Sequence, residues 1–351
     1  MVALMRHVVI AVLLVACSRS TPARRSDDVC GPGASVVEMP LGTMRGSQIP
    51  PANTYSIVAR DPVTGELGVA VQSHYFAVGA VVLWAESGVG AIATQSAVEV
   101  SYGPKGLAFM SSGVSAPEAM AQLVAVDKQS ATRQLGFVDA RGQAASHTGA
   151  QCIAFAGNHV GPGYAVQANM MANDRVIPAM RAAYESGRGD LGERLLATLE
   201  AAQAAGGDLR GCQSAAILVV SGTRSATPWA ERKLDLRVDN DPDPLRALRR
   251  LVRIARANDQ LGQGERAEKA GDPIGALAHY RAAPLMAPGD VEMAYWAAVA
   301  IANQGGVDEA VPMFRATFAS SPVWIEVTRR LVAPGILPQP VVDRVLGDAD
   351  R

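Results

Sequence analysis

Few side chains in this sequence carry chemistry of their own, and their spacing excludes several reactions. Four cysteines and five histidines occur in 351 residues. There is no Cys-x-x-Cys pair and no His-Glu-x-x-His motif, so a zinc site has no local support. The loop Gly157-Asn-His-Val-Gly-Pro-Gly163 lacks the lysine and helix start of a phosphate cradle and reads as a turn. His147 and His159 sit in no spacing that names a reaction. Cys152 and Cys212 fall in apolar, strand-like segments, where cysteine usually acts as a small buried hydrophobe. A disulfide between them stays open, since an oxidising compartment would allow one.

Cys17 is the cysteine whose position does suggest chemistry. Arg6 and His7 precede an apolar run from Val8 to Ala16 that ends at Cys17. The run is too short to span a bilayer and suits a signal peptide. Leu14-Val15-Ala16-Cys17 resembles a bacterial lipoprotein box, in which the cysteine is lipidated and begins the mature chain. Ordinary signal cleavage is the alternative. Ser18 behind the cysteine resembles the signal for outer-membrane retention, so the expected location is the cell envelope. Residues 18–53 are rich in Ser, Arg, Pro and Gly without periodicity, the composition of a flexible tether. A formal net charge of -1 supplies no field for nucleic acid, leaving the lipid anchor as the expected membrane contact.

From Tyr55 onward, short apolar runs alternate with turns. Tyr55–Arg60 and Leu67–Val71 read as a hairpin around Asp61-Pro-Val-Thr-Gly65; Ala80–Trp84 and Ala91–Thr94 form a second pair. Helices are expected around Gly106–Ser112 and Ala116–Val126, the latter behind Ser115 with Glu118 at the capping-box position. A hairpin follows at Gln134–Val138 and Ala144–Thr148, then a strand at Ile153–Phe155. Helices near Ile177–Ser186 and Leu191–Ala205 lead to an apolar strand, Ala215–Val220. The order predicts an α+β fold with antiparallel sheets and helices packed outside.

The last third is helical and repeats. Gly271, Ala276, Tyr280, Ala282 and Pro288 recur 34 positions later as Gly305, Ala310, Phe314, Ala316 and Pro322. That period resembles the tetratricopeptide repeat (TPR). Helices near Pro244–Ala257 and Pro338–Val345 are expected to flank it. The expected divisions are 1–17 signal, 18–53 tether, 54–244 α+β domain and 245–351 helical segment.

Thr54-Tyr-Ser-Ile-Val-Ala-Arg-Asp-Pro-Val-Thr-Gly-Glu-Leu-Gly-Val-Ala-Val71 opens a series of motifs. It continues through Gln72-Ser-His-Tyr-Phe-Ala-Val-Gly79, Ala93-Thr-Gln95, Tyr102-Gly-Pro-Lys-Gly106, Gly136-Phe-Val-Asp139 and Ala205-Gly-Gly-Asp208. Together they resemble the secreted Ntn-hydrolase-like proteins of domain-of-unknown-function family 1028, over about Thr54 to Leu251. The resemblance implies a four-layer αββα sandwich and, at Thr54, the position of an N-terminal nucleophile whose α-amine is the general base. Such an amine has a pKa of about 7.7–8.0, suited to that work. Thr54 stands 37 positions after Cys17. A working nucleophile therefore needs cleavage after Asn53, which would part the domain from its lipid. The plain alternative is a buried threonine leading into a strand.

His74 is then a candidate acid, base or ligand, or a structural histidine at a strand end. Gln95 and Asn169 carry amides suited to an oxyanion or a substrate, and equally to turns. Asp208 is either a site residue or a turn residue. The leading expectation is hydrolysis of an amide in a small or peptide-like substrate, with no cofactor and no metal. A ligand-binding or scaffold lipoprotein recruiting a protein partner through its repeats is the alternative. A metallohydrolase using His74 is a third.

Overall fold

The computed structural model describes residues 54–347. The expectations for Cys17 and the 18–53 tether lie outside them. β1 (Thr54–Arg60) and β2 (Leu67–Ser73) pair antiparallel through a turn fixed by Asp61, whose carboxylate accepts from the Val63 and Thr64 amides. After a single helical turn, α1 (Gly79–Val82), come β3 (Leu83–Glu86) and β4 (Gly90–Ser96). Helices α2 (Tyr102–Ser111) and α3 (Ala116–Val126) follow, then β5 (Arg133–Asp139) and β6 (Ala144–Thr148). Ser115 and Glu118 close a capping box at the head of α3. β7 (Gly157–Gly161), β8 (Tyr164–Ala168), α4 (Val176–Ser186), α5 (Leu191–Ala204), β9 (Ser214–Val220) and β10 (Arg232–Val238) complete the α+β part.

One sheet has the order β10-β9-β2-β1-β8-β7 and the other β3-β4-β5-β6, and every pairing is antiparallel. Alternation along β1 divides its side chains between two environments. Tyr55, Ile57 and Ala59 join a core with Met180 of α4 and Leu195 and Leu199 of α5. Val58 packs instead with Ala91, Ala93 and Val138 of the second sheet. That sheet's other face carries Ile92, Leu135 and Phe137, covered by Leu107 and Met110 of α2 and Met120 of α3. The sheets thus face each other with helices outside, and Thr54 and Ser56 point between them.

Several boundaries differ from expectation. Ile153–Phe155 is an exposed turn, not a strand: its residues are apolar, but its carbonyls are spent on the amides of Met170 and Met171. The glycine loop at 157–163 is a β-hairpin, β7–β8, turning at Pro162-Gly163, with Gly163 at φ +76°. The predicted strand at Ala80 begins only at Leu83. β10 is an additional edge strand.

The C-terminal part is helical throughout: α6 (Pro244–Lys269), α7 (Pro273–Met286), α8 (Val291–Asn303), α9 (Val307–Ser320), α10 (Val323–Arg330) and α11 (Gln339–Leu346). Asp243, Asp272 and Asp290 cap α6, α7 and α8 with their carboxylates. Residues 34 apart take equivalent roles. Ala276 and Tyr280 are buried in one core with Ala310 and Phe314, and Gly271 and Gly305 end their helices at φ +78° and +85°. α6 joins the two parts: Leu245, Leu248 and Val252 lie in the sheet core, while Tyr280 packs against Gly264.

Candidate functional site

The head of β1 is where the polar side chains gather. Thr54 is fully buried, and its hydroxyl donates to Ser73 Oγ at 3.2 Å across the β1–β2 pair. Its carbonyl oxygen accepts from the Asn169 amide at 3.1 Å, Gln95 Nε2 at 3.3 Å and Asn169 Nδ2 at 3.5 Å. Gln95 and Asn169 meet again on Gln134, whose Oε1 accepts from them at 2.6 and 2.8 Å. Gln134 Nε2 donates to Thr148 Oγ1 and to the carbonyls of Gly157 and Ala168. Ser56 links the cluster deeper, donating to Gln95 Oε1 at 2.6 Å and accepting from Gln167 Nε2 at 2.5 Å.

The strands explain this convergence. Gln95 and Gln134 are register partners on β4 and β5, while Thr54, Ser56 and Gln167 come from β1 and β8 of the facing sheet. Gly136 gives the room: a Cβ there would lie 2.3 Å from Gln167 Oε1. The result is a neutral, buried cluster of amides and hydroxyls, in which hydrogen bonds gain strength from the low local dielectric. One acceptor is left over, because Asn169 Oδ1 is buried without a partner among the described residues.

His74 and Asp208 lie at the rim. The His74 backbone amide donates to Asp208 Oδ2 at 3.2 Å, and the His74 ring lies beside Gly211. Asp208 is nearly buried and committed: Oδ1 accepts from the Arg210 amide and Nε, and Oδ2 from Arg210 Nη2 at 2.8 Å. It works as a clamp between the ends of β2 and α5, not as a free base. Its charge, after burial itself, helps push the Tyr55 hydroxyl well above its ordinary range. The Tyr55 hydroxyl donates to Gln203.

Among the described residues, three outside glycine have positive φ: Ala77 at 51°, Ser96 at 68° and Met170 at 55°. Ser96 follows Gln95, Met170 follows Asn169, and Ala77 ends the His74 loop. Strain of this kind gathers at functional sites. Phe76, Ile153, Phe155 and Leu209 are exposed on the loops at this same end. The backbone joins three of these loops, since Ile153 accepts from Met170 and Met170 from Leu209.

Thr54, Gln95 and Asn169 therefore meet in one cluster, and His74 and Asp208 form a neighbouring pair held through the backbone. Ser56, Ser73, Gln134 and Gln167 belong to the cluster and escaped the sequence reading. Their signal was a polar residue inside a strand buried along its whole length. His147 lies elsewhere, donating to the Ser130 carbonyl, and His159 stands 4.0 Å from Glu185.

Cys152 is a free, half-buried thiol whose pKa burial raises. Cys212 is disulfide-bonded. The bridge left open between these two does not form. Among the described residues no three His, Cys, Asp or Glu side chains gather around one point where a metal ion would fit. No helix among them is long and apolar enough to cross a membrane.

Fold and site together define a two-sheet, antiparallel α+β protein with a buried amide cluster at the head of its first strand and a helical C-terminal part. The chain belongs to the family of unknown function DUF1028, whose model matches residues 54–248. The crystal structure of protein SPO2555 from Silicibacter pomeroyi, of the same family, is similar at 32% identity and a TM-score of 0.53. That similarity covers 58% of this chain and 86% of the other. No curated protein matches the chain.

Proposed function

We propose that the chain is an exported lipoprotein whose α+β domain is an Ntn-type amidohydrolase, with Thr54 as nucleophile after cleavage of the Asn53–Thr54 bond. What carries this reading is Thr54 itself: the first residue of β1, its hydroxyl between two facing sheets, with side-chain amide donors directed at its backbone. The facing sheets and their outer helices correspond in this reading to the αββα sandwich of Ntn hydrolases, and α7–α10 to a TPR-like pair.

The chemistry follows from the groups present. The freed α-amine takes the Thr54 hydroxyl proton as Oγ1 attacks a substrate amide carbon. It then passes that proton to the leaving nitrogen, and water hydrolyses the resulting ester. Amide N–H groups of the cluster stabilise the oxyanion. The new ammonium also brings a donor to the cluster in which Asn169 Oδ1 has none. His74 stands at the rim as a substrate-facing group, and Asp208 positions its loop.

A second reading is favoured by one observation. The Gln95 and Asn169 donors are spent on Thr54's own carbonyl and on Gln134, as in a purely structural network. Here the domain is a non-catalytic ligand-binding or scaffold lipoprotein and the helical repeats recruit a protein partner.

The N-terminus of the protein purified from an exporting host separates the two. A species beginning at Thr54, with turnover of small amides that Thr54→Ala abolishes, is the expected result. A chain beginning only at acylated Cys17, with no shorter form and no turnover, favours the scaffold.

A further inference from the structure

β10 ends the six-stranded sheet and, among the described residues, pairs with β9 alone. Its other edge carries the backbone N–H and C=O groups that a further strand would use. The bulge between Arg232 and Leu234 lies at its start and leaves Leu234–Val238 in regular register. At the far end the Ala77 amide donates to the Asp239 carbonyl. The stretch open to a partner is therefore Leu234–Val238, which is centred on Leu236.

The side chains of this edge complement a second copy of themselves. Leu234, Leu236 and Val238 pack toward the core beneath α6. The side chains between them fall on the opposite face and alternate in sign: Lys233, Asp235, Arg237, Asp239. A two-fold axis through Leu236 sets Asp235 of one copy against Arg237 of the other, Lys233 against Asp239, Leu234 against Val238 and Leu236 against itself. An axis through Asp235 instead sets Asp235 against itself and Lys233 against Arg237, so the charges select one register. Within one copy, Asp235 pairs with Arg232 and lies 3.6 Å from Arg237, and Lys233 pairs with Glu66. The basic partner in each of these pairs is well exposed, where an ion pair contributes little and is easily shared.

The helix above the edge carries a second feature of the same kind. Arg249 and Arg256 reach α5 from one side of α6. On the flank turned away from Arg249, Ala247, Leu251 and Ala255 recur every four residues, all half-buried. Leu251 belongs to none of the hydrophobic cores among the described residues. We propose that two copies of the chain join edge to edge through antiparallel β10 strands about a two-fold axis at Leu236, making one continuous sheet of twelve strands. The same axis lays the two α6 helices side by side, antiparallel, with the Ala247, Leu251 and Ala255 flanks facing each other. Small residues there let the helices approach, and Leu251 gains the apolar cover that one copy does not give it.

The test is analytical ultracentrifugation of the full-length protein, with hydrogen exchange of β10 at a high and a low concentration. The expected species is a dimer whose β10 amides exchange faster on dilution. Asp235→Lys makes the face positive from 233 to 237 and should weaken the dimer by roughly tenfold or more, because the pair occurs twice across the axis. Adding Arg237→Asp restores opposite charges at both pairs and should return the affinity of the parent. A monomer up to about 100 μM overturns the proposal. So does a dimer that ignores Asp235→Lys, or a double variant no tighter than the single one. Protection of β10 that does not change with concentration also overturns it, since the edge is then covered by the chain itself. That exchange measurement uses the parent protein, so it decides the matter even if a variant fails to fold.

Discussion

Thr54 is the residue at which a reactive role can be separated from a structural one. Its hydroxyl donates to Ser73 Oγ, and losing a neutral hydrogen bond of this kind costs about 1 kcal/mol. Thr54→Ala should therefore fold with a melting temperature only a few degrees lower, by calorimetry, while both chain cleavage and amide turnover vanish. Thr54→Ser should retain both. Turnover that survives in the alanine variant rules out Thr54 as the nucleophile. Gln134 is the opposite case. It accepts two amide protons and donates to three oxygens inside the cluster. Gln134→Leu leaves several buried groups unpaired, each costing about 1–3 kcal/mol, with the total less than additive. Urea denaturation should show a loss of about 3–5 kcal/mol; a loss near zero would mean that the amide cluster holds nothing together. Sequence alone pointed to Thr54, Gln95 and Asn169 through motif resemblance. It passed over Gln134 and Gln167 because their partners come from strands distant in the chain.

At the scale of elements, the hairpin that presents Thr54 depends on Asp61 at its far end. Burial pushes the Asp61 carboxyl up, but hydrogen bonds from the Thr64 and Val63 amides and the Arg194 guanidinium outweigh it and hold the pKa below the ordinary value. The carboxylate and Arg194 are both largely buried, 2.6 Å apart. A depressed folded pKa gives stability that is present above the unfolded value, about 3.9, and is lost as pH falls through the folded one. Asp61→Asn should cost about 1–2 kcal/mol at pH 7 and flatten the stability curve below pH 4, measured by denaturation across pH. An unchanged acid limb would mean that this pair contributes nothing to acid stability. The first hairpin, the α3 capping box and the buried β9 were legible because turn chemistry and apolar runs are local signals. β7 was not legible: Gly157–Gly161 is an edge strand without apolar alternation, so only its pairing with β8 defines it. β10 was missed although Leu234, Leu236 and Val238 alternate as a strand should. At Ile153–Phe155 an apolar run suggested burial, but the residues are exposed beside the site.

For the whole molecule, the question is where one folding unit ends and the next begins. The break in sequence texture fell at Pro244, since residues beyond it follow a helical pattern. Packing makes α6 common to both parts. Leu245, Leu248 and Val252 complete the core over β9 and α5. Arg249 bridges to Glu193 and Glu200, and Arg256 to Asp190 and Glu193. The guanidinium bonds hold the Glu193 carboxyl below its ordinary range against the upward push of burial. Burying an aliphatic side chain contributes about 1.5–3 kcal/mol, so removing three exceeds much of the 5–15 kcal/mol that holds a typical domain folded. A chain ending after Lys269 should keep the α+β part soluble and cooperatively folded; one ending after Pro244 should aggregate or melt at least ten degrees lower. Tyr280, Tyr295, Phe314 and Val342 belong to a separate core among α7–α11, so the chain ending after Lys269 loses a unit the sheets do not need. If Thr54 chemistry is the function, that truncated chain keeps its amide turnover. If the helical repeats carry the function by recruiting a partner, it folds normally and captures nothing. Thermal melting and partner pull-down on the same two truncations therefore test the boundary and the function together.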